Sequence, residues 1–334
     1  MKREQSEGDA GELLWTFETG SSIASSPTVV NETVYVGSDD GFLYAIDTTT
    51  GAPLWRFETD APVVSSPTVR DGTVYVGSVD ASLYAVDAST GTERWNFETG
   101  SRIDSSPAMV DGTVYIGSWD EHLYAVDAAT GAETWTFETG GEISASPVVT
   151  DGTVYVGSWD ENLYAVHATT GDERWAFETG GYVASPTVAD GTVYVGTNSP
   201  TGTSYLYAVY ATIGTEQWRF ETGDAVDSSP AIGTGTVYVG DDGGRLSAVA
   251  TDDGAVHWTF EAGSWIHSSP AVVRDTVYVG SADENLYAVD AAAGTERWTV
   301  QTDGGISSSP TVVEGAVYVG SEDGSLYAVR ASRQ

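Results

Sequence analysis

The chain has 334 residues, 49 acidic against 13 basic side chains, and a formal net charge of −36. With no basic stripe to neutralise phosphates, nucleic acid is excluded as a partner. The absence of cysteine excludes a disulfide, a thiol nucleophile and a lipidated cysteine, and no apolar run approaches the length of a transmembrane helix.

In chain order, residues 1–11 read as a flexible segment beginning Met-Lys-Arg-Glu-Gln-Ser-Glu-Gly-Asp-Ala, without an apolar signal core. The expected location is cytoplasmic, or exported or cell-surface if a leader has been removed. Residues 13–19, Leu-Leu-Trp-Thr-Phe-Glu-Thr, form a lone strand. The next unit divides into four strands separated by turn signals: A over 25–30, B over 33–38, C over 42–47 and D over 54–59. Valine, tyrosine, phenylalanine and threonine dominate them, as suits a pleated, partly buried surface. The A–B turn is usually Asp-Gly, at Asp71-Gly72, Asp111-Gly112, Asp151-Gly152 and Asp190-Gly191, a pair that tolerates the positive φ of a type I′ hairpin. Asn31-Glu32-Thr33 matches a glycosylation sequon, but Asn31 stands where other units place the turn aspartate and is read as a turn residue.

The unit recurs. Trp15, Trp55, Trp95, Trp135, Trp175, Trp218, Trp258 and Trp298 are spaced by 40 residues, with one interval of 43. Pro27, Pro67, Pro107, Pro147, Pro186, Pro230, Pro270 and Pro310 keep the same beat at the start of strand A. A period near forty built from short strands means a propeller or a solenoid. Four antiparallel strands in a meander make a propeller blade, and proline suits a strand with one edge free toward a channel. The chain supplies eight A, B and C strands but ends after a C strand, Ser325–Arg330. The lone N-terminal strand is the missing D. The prediction is an all-β, eight-bladed β-propeller of four antiparallel strands per blade. It forms a single domain over residues 12–331, followed by a tail at 332–334, and is closed by the N-terminal strand so that no edge is left open.

The segment Ala-x-Asp-x-x-Thr-Gly-x-x-x-Trp is complete at Ala45, Asp47, Thr50, Gly51 and Trp55, and again at Ala85, Asp87, Thr90, Gly91 and Trp95, and at Ala125, Asp127, Thr130, Gly131 and Trp135. It resembles the tryptophan-docking repeat of the quinoprotein alcohol dehydrogenase-like propellers, the PQQ repeats, over about residues 12–331. The resemblance implies that each tryptophan of the series stacks on a turn glycine, such as Gly51, Gly91, Gly131 or Gly171, and locks neighbouring blades. Later units depart: the aspartate position holds His167, Tyr210, Ala250 and Arg330, and the threonine position Ile213, Asp253 and Ala293. The family includes large quinone-dependent dehydrogenases and non-enzymatic scaffolds, among them the eight-bladed propeller lipoprotein of the outer-membrane barrel-assembly machine. Fold alone does not choose between them.

In such a meander the D–A and B–C loops share one face, and the A–B and C–D turns the other. The turns are nearly uniform and the loops vary, which marks the loop face for recognition. In the D–A loops the apolar residue turns inward, so that Arg102, Asp104, Asp227, Trp265 and His267 point toward the channel mouth. Asp227 and His267 hold equivalent positions in adjacent blades; with Asp104 they either ligate a cation or polar ligand or simply solvate the mouth. The B–C loops offer Trp119, Glu121 and His122 in one blade and Trp159, Glu161 and Asn162 in the next, and the fifth, 198–205, is four residues longer. Trp119, Trp159 and Trp265 lie outside the docking motif; such aromatics stack on a flat ligand, a sugar or a peptide, or pack on the adjacent loop. The ring of Ser-x-Asp aspartates (Asp40, Asp80, Asp120, Asp160, Asp283 and Asp323) is read as turn hydrogen bonding.

These features predict a non-catalytic, cofactor-free and monomeric scaffold whose loop face binds a protein or extended ligand. The alternatives are a redox protein using PQQ with calcium, and a carbohydrate or small-ligand module. The resemblance implies long insertions and paired cysteines in the quinone enzymes; this chain has no cysteine, and its largest excess over the repeat is the loop near Pro200. No Ser-His-Asp arrangement or phosphate loop is present.

Lys2 is the only lysine against twelve arginines, and this composition resembles that of extremely halophilic, archaeal proteins. Self-repulsion of the charge opposes compaction at low ionic strength, whereas at molar salt the Debye length shrinks to about 3 Å. Dialysis from multimolar KCl into dilute buffer is therefore expected to lower the melting temperature markedly. A melting temperature independent of salt would refute the adaptation.

Overall fold

The computed structural model describes residues 9–200 and 202–331. The predicted tail at 332–334, most of the predicted N-terminal segment and Thr201 of the long loop fall outside the described residues. Eight antiparallel sheets form eight blades, seven of them built in chain order from an inner to an outer strand. In blade 1 the strands are A (Thr28–Val30), B (Thr33–Gly37), C (Phe42–Asp47) and D (Pro53–Glu58). Asp71-Gly72, Asp111-Gly112, Asp151-Gly152 and Asp190-Gly191 all take positive φ at both positions, as do Asn31 and Glu32, so these A–B turns have the predicted hairpin form and Asn31 is a turn residue. Among the described residues no helix is long and apolar enough to cross a membrane.

The N-terminal strand, Leu13–Glu18, pairs with Ser325–Arg330 and completes blade 8. It reproduces the register of a native D strand down to the irregularity. Trp15 faces Ala328 with a register shift toward Leu13, as Trp55 faces Ala45 with a shift toward Pro53.

Strand A differs from expectation. It begins at Thr28, after the proline and not at residue 25. The reason lies in where the backbone bonds go. Pro27 has no N–H to give a ladder, and the Ser26 N–H is donated to the Ser66 hydroxyl of the next blade (2.9 Å). This serine link recurs at seven of the eight junctions, and Ser309 to Ser26 passes it across the closure. The residues before strand A thus bond around the channel and not along their own blade. Blade 5 carries one further departure: its D–A loop forms a short strand, Tyr182–Val183, paired with a B strand lengthened to Thr192–Asn198.

Apolar burial lies between blades. Tyr35, Leu43 and Ala45 of blade 1 pack against Val63, Val74, Val76 and Val86 of blade 2, and the same wedge recurs up to the junction of blades 8 and 1. Two close approaches set the spacing. Near the channel, Val63 packs so tightly on Gly37 that no Cβ would fit there. Farther out, a Cβ on Gly51 would stand 2.8 Å from the Trp15 ring, and Gly51 itself has a φ of +69°. The same pairing joins Trp55 to Gly91, Trp95 to Gly131, Trp135 to Gly171, Trp175 to Gly214, Trp218 to Gly254 and Trp258 to Gly294, and Trp298 lies against Gly11. Each indole N–H also crosses the junction: Trp15 donates to the Thr48 carbonyl (2.8 Å) and Trp55 to that of Ala88 (3.0 Å).

Motif departures leave this lock intact. In blade 1 Asp47 accepts from the N–H and hydroxyl of Thr50. In blade 4 the His167 Nδ1 accepts from the Thr169 N–H in the equivalent turn, and Gly171 still bonds the His167 carbonyl.

Removing residues 1–19 strips blade 8 of its outer strand and is expected to lower the urea midpoint strongly. Trp15→Ala alone should cost about 3 kcal/mol, the low end for truncating a core aromatic, since its indole is only partly buried. An unchanged midpoint in both variants would show that the ring closes without this clasp.

Candidate binding site at the channel mouth

The D–A loops are held by an apolar anchor. Ile23, Val63, Ile103, Ile143, Val226 and Ile266 are all fully buried, so the residues on either side of each anchor are turned to the mouth. The middle residue of each B–C loop joins them through its backbone: Trp119 N–H bonds the Arg102 carbonyl, Trp159 that of Glu142, and Asp242 that of Ala225. Rigid backbone thus places two interleaved rings of variable side chains around the channel.

On one arc these side chains form an aromatic row. The Arg102 guanidinium lies 4.3 Å over the Trp119 ring and makes a two-pronged bond to Asp104 (2.8 and 2.6 Å). Trp119 meets Trp159 at 5.1 Å between centroids, and Trp159 stacks on Tyr182 at 5.1 Å and 17°. The Trp159 indole N–H is held by the Ser144 hydroxyl (2.9 Å).

On another arc lie the polar residues. The His267 Nε2 is 2.9 Å from Asp242 and 3.9 Å from Asp227, with the Trp265 ring edge-on to the imidazole at 4.6 Å. One ligand atom from each of Asp227, Asp242 and His267 lies within 4.8 Å of the others, a donor set able to hold a divalent cation. Burial and the charge of Asp242 raise the Asp227 pKa. Between the arcs is a cavity of about 430 Å³ bordered by Ser144, Trp159, Tyr182, Asn198 and Asp227.

The predicted site residues divide accordingly. Arg102, Trp119, Trp159, Asp227, Trp265 and His267 are at the mouth. Asp104 does not join Asp227 and His267, because it is neutralised by Arg102; Asp242 takes its place. Glu121 and Glu161 serve turns: both have positive φ, and their carbonyls accept from Thr139 and Thr179. The His122 Nδ1 and the Asn162 side chain bond the carbonyls of Asp120 and Asp160 two residues back. The Ser-x-Asp aspartates are turn residues as predicted. Asp40 accepts from Gly20 N–H, Phe42 N–H and the Tyr44 hydroxyl, and the Tyr44 pKa is pushed up to about 12 by burial and that bond.

Tyr182, Glu142, Asn198, Asp39 and Asp242 were not anticipated. Aligning the repeats would have found two of them: Asp39 and Asp242 occupy the position of Trp119 and Trp159. Tyr182 and Asn198 depend on the extra pairing of blade 5. Among the described residues, three buried side-chain polar atoms lack a protein partner, and all three are here: Asp39 Oδ1, Trp119 Nε1 and Glu142 Oε2. Such groups cost about 1–3 kcal/mol each and mark a place where packing is not the only constraint.

Residues 6–120, 119–206 and 202–333 match the family described as outer membrane protein assembly factor BamB. The chain belongs to this family. No protein of curated function matches the sequence. The fold is similar to that of BamB from Moraxella catarrhalis, with a TM-score of 0.82 at 19% identity over 97% of this chain and 98% of that one. A quinohemoprotein alcohol dehydrogenase from Comamonas testosteroni gives 0.81 at 18% identity over 98% of this chain and 78% of its own. A computationally designed protein, Ika8, gives 0.82 at 18% over 97% and 100%. At these identities the likeness is one of fold, shared by an assembly factor, an enzyme and a design, and the mouth residues have to be read on their own.

The bond to Asp242 raises the His267 pKa above its ordinary 6.5, against the opposing effect of burial, and Asp227 adds to the rise. Because the folded value is the higher, the stabilisation is complete below 6.5 and fades as pH climbs through the raised folded value. An NMR titration should place the imidazole midpoint above 6.5, and Asp242→Asn should lower it. A midpoint at or below 6.5 in the unaltered protein would refute the ion pair.

Proposed function

We propose that this member of the BamB family is a non-catalytic propeller platform whose channel mouth binds a protein partner. One observation carries the reading. The blades repeat almost without change wherever residues pack, and depart from the repeat at the mouth, where an aromatic row and all three buried unpaired polar atoms of the described residues are gathered. Tryptophan, tyrosine and arginine dominate the energetics of protein interfaces, and the row Arg102, Trp119, Trp159 and Tyr182 is built of these. The family description points the same way, since its named member is an assembly factor.

Quinone chemistry is the other reading, favoured only by the likeness to a dehydrogenase. The chain has no cysteine to match the pair that the resemblance implies for those enzymes. In the proposed reading the acidic composition serves solubility and stability in concentrated salt, and the mouth works as a monomer's recognition surface.

Affinity capture in high salt, from cells that carry the gene, should retain a discrete partner on the unaltered protein and lose it on a Trp119→Ala/Trp159→Ala variant of unchanged melting temperature. Equal capture by both would overturn the mouth as the docking face. Saturable binding of pyrroloquinoline quinone with calcium, read by tryptophan fluorescence and equilibrium dialysis, would overturn the platform in favour of redox chemistry.

A further inference from the structure

The mouth contains the same recognition device twice, once with its cation supplied and once without. In blade 3 the cation is Arg102. Its guanidinium lies over Trp119 at 4.3 Å and is gripped side-on, through Nε and Nη2, by Asp104 in two bonds of 2.8 and 2.6 Å. An aromatic plate below and a carboxylate beside it satisfy both the face and the N–H fork of a guanidinium. Between blades 4 and 6 the plate is the Trp159–Tyr182 stack, and the carboxylate is Asp227, bordering one cavity. Among the described residues, no arginine borders that cavity.

Asp227 is also under-engaged compared with Asp104. The Asn198 side-chain amide approaches its two oxygens at only 3.3 and 3.5 Å, and His267 stands 3.9 Å away and is committed to Asp242 at 2.9 Å. Its hydrogen-bonding capacity toward protein groups is largely unspent, and with 44% of its side chain exposed it is open to a ligand. The cavity, about 430 Å³, falls in the size range of small-group binding sites and has their mixture of aromatic wall and few convergent polar groups. The chain's net charge of −36 favours approach of a cationic partner and disfavours an anionic one.

Building on the platform reading, we propose that the cavity between Trp159, Tyr182 and Asp227 receives the guanidinium of an arginine side chain presented by the protein partner. The side chain lies against the stacked rings as Arg102 lies on Trp119, and Asp227 takes the place of Asp104. Ser144 and Asn198 hold the two walls: Ser144 fixes the Trp159 indole, and Asn198 steadies Asp227 from the lengthened strand that pairs with Tyr182. The extra pairing in blade 5 is, on this reading, what lifts Tyr182 into the plate. Arginine is preferred to lysine because a compact ammonium can neither lie flat on a ring nor fork to a carboxylate.

The test uses the full chain in concentrated KCl, with the peptide acetyl-Gly-Gly-Arg-Gly-Gly-amide followed by saturation-transfer NMR and tryptophan fluorescence. Saturable binding is expected. It should weaken about tenfold or more when citrulline, which is neutral and of like shape, replaces arginine, or when Asp227→Asn removes the charge. Tyr182→Ala should weaken it too, while Asp104→Asn, at the filled device, should not. Asp227→Asn is close in shape, and an unchanged melting temperature shows that it has not acted through folding.

Equal binding of the citrulline peptide, or no loss in Asp227→Asn, would overturn the assignment. So would failure of the arginine peptide to bind; if Trp119→Ala/Trp159→Ala still abolished partner capture, the platform reading would stand without this pocket. Free argininamide binding as tightly as the peptide, with no partner retained at the mouth, would keep the guanidinium pocket and remove the protein platform.

Discussion

Everything in this molecule depends on the indole of one blade lying against a turn glycine of the next. The contact is short, a hypothetical Cβ on Gly51 standing 2.8 Å from the Trp15 ring, so it tolerates neither a side chain at the glycine nor a smaller residue at the tryptophan. It is also directional, because the indole N–H is spent on a carbonyl of the same neighbouring turn. A propeller blade cannot bury either face alone, and stability therefore resides in the junctions. The tryptophan–glycine lock sets the outer spacing, the buried D–A anchor against the B-strand glycine sets the inner one, and the serine links tie the strands nearest the channel. A ring made this way has to close, and the N-terminal strand closes it by adopting the register and the irregularity of a D strand at the far end of the chain.

This division of labour explains why the mouth is free to vary. The D–A loop is fixed by a single buried residue and by backbone bonds between loops; its two flanking side chains carry no structural duty. They can be Ser22 and Ala24 in one blade and Arg102 and Asp104 in another without altering the wedge beneath. Groups that would be destabilising in a core, such as a cluster of Asp227, Asp242 and His267, are carried here on rigid backbone whose stability is supplied elsewhere. The aromatic row is the same freedom used differently: Trp119 and Trp159 replace Asp39 at the equivalent position and, lying on adjacent blades, meet at 5.1 Å.

How much of this is legible in the sequence follows from what repeats. Strand order and the docking residues are written eight times or nearly so, and a period-forty pattern with complementary ends has few other solutions. Strand A starts later than its pattern predicts because Ser25 and Ser26, which look like strand residues, bond to the next blade, a partner that no local pattern names. At the mouth the information appears once. Asp104 seemed a natural partner for Asp227 and His267 by register, yet Arg102, two residues away, claims it at 2.6 Å. Asp242 is hard to find because its loop, Gly240-Asp241-Asp242-Gly243, lacks the serine that marks six of the eight B–C loops, even though it occupies the Trp119 position. Tyr182 depended on a two-residue strand that exists only because blade 5 lengthens its B strand.

The arrangement of charge around the mouth has its own logic. Arg102 supplies the one arginine of the aromatic row, and it is spent within its own loop, on Asp104 and on Trp119. Asp39, Glu142, Asp227 and Asp242 remain, with His267 alone among them able to carry positive charge. Three of the four have a carboxylate oxygen that is either buried and unpaired, as in Asp39 and Glu142, or weakly bonded, as in Asp227. A surface under selection only for solubility would place such carboxylates outward in water, where hydration costs nothing. Placing them instead in a concave mouth, beside stacked rings that favour a cation on their faces, raises the local preference for positive charge well above that of the acidic exterior. Concentrated salt would screen the long-range field of the whole molecule but not contacts made inside the cavity. On the proposed reading, contacts made at the mouth are therefore the electrostatics that concentrated salt would leave intact, and they are built from the few residues that the repeat leaves unconstrained.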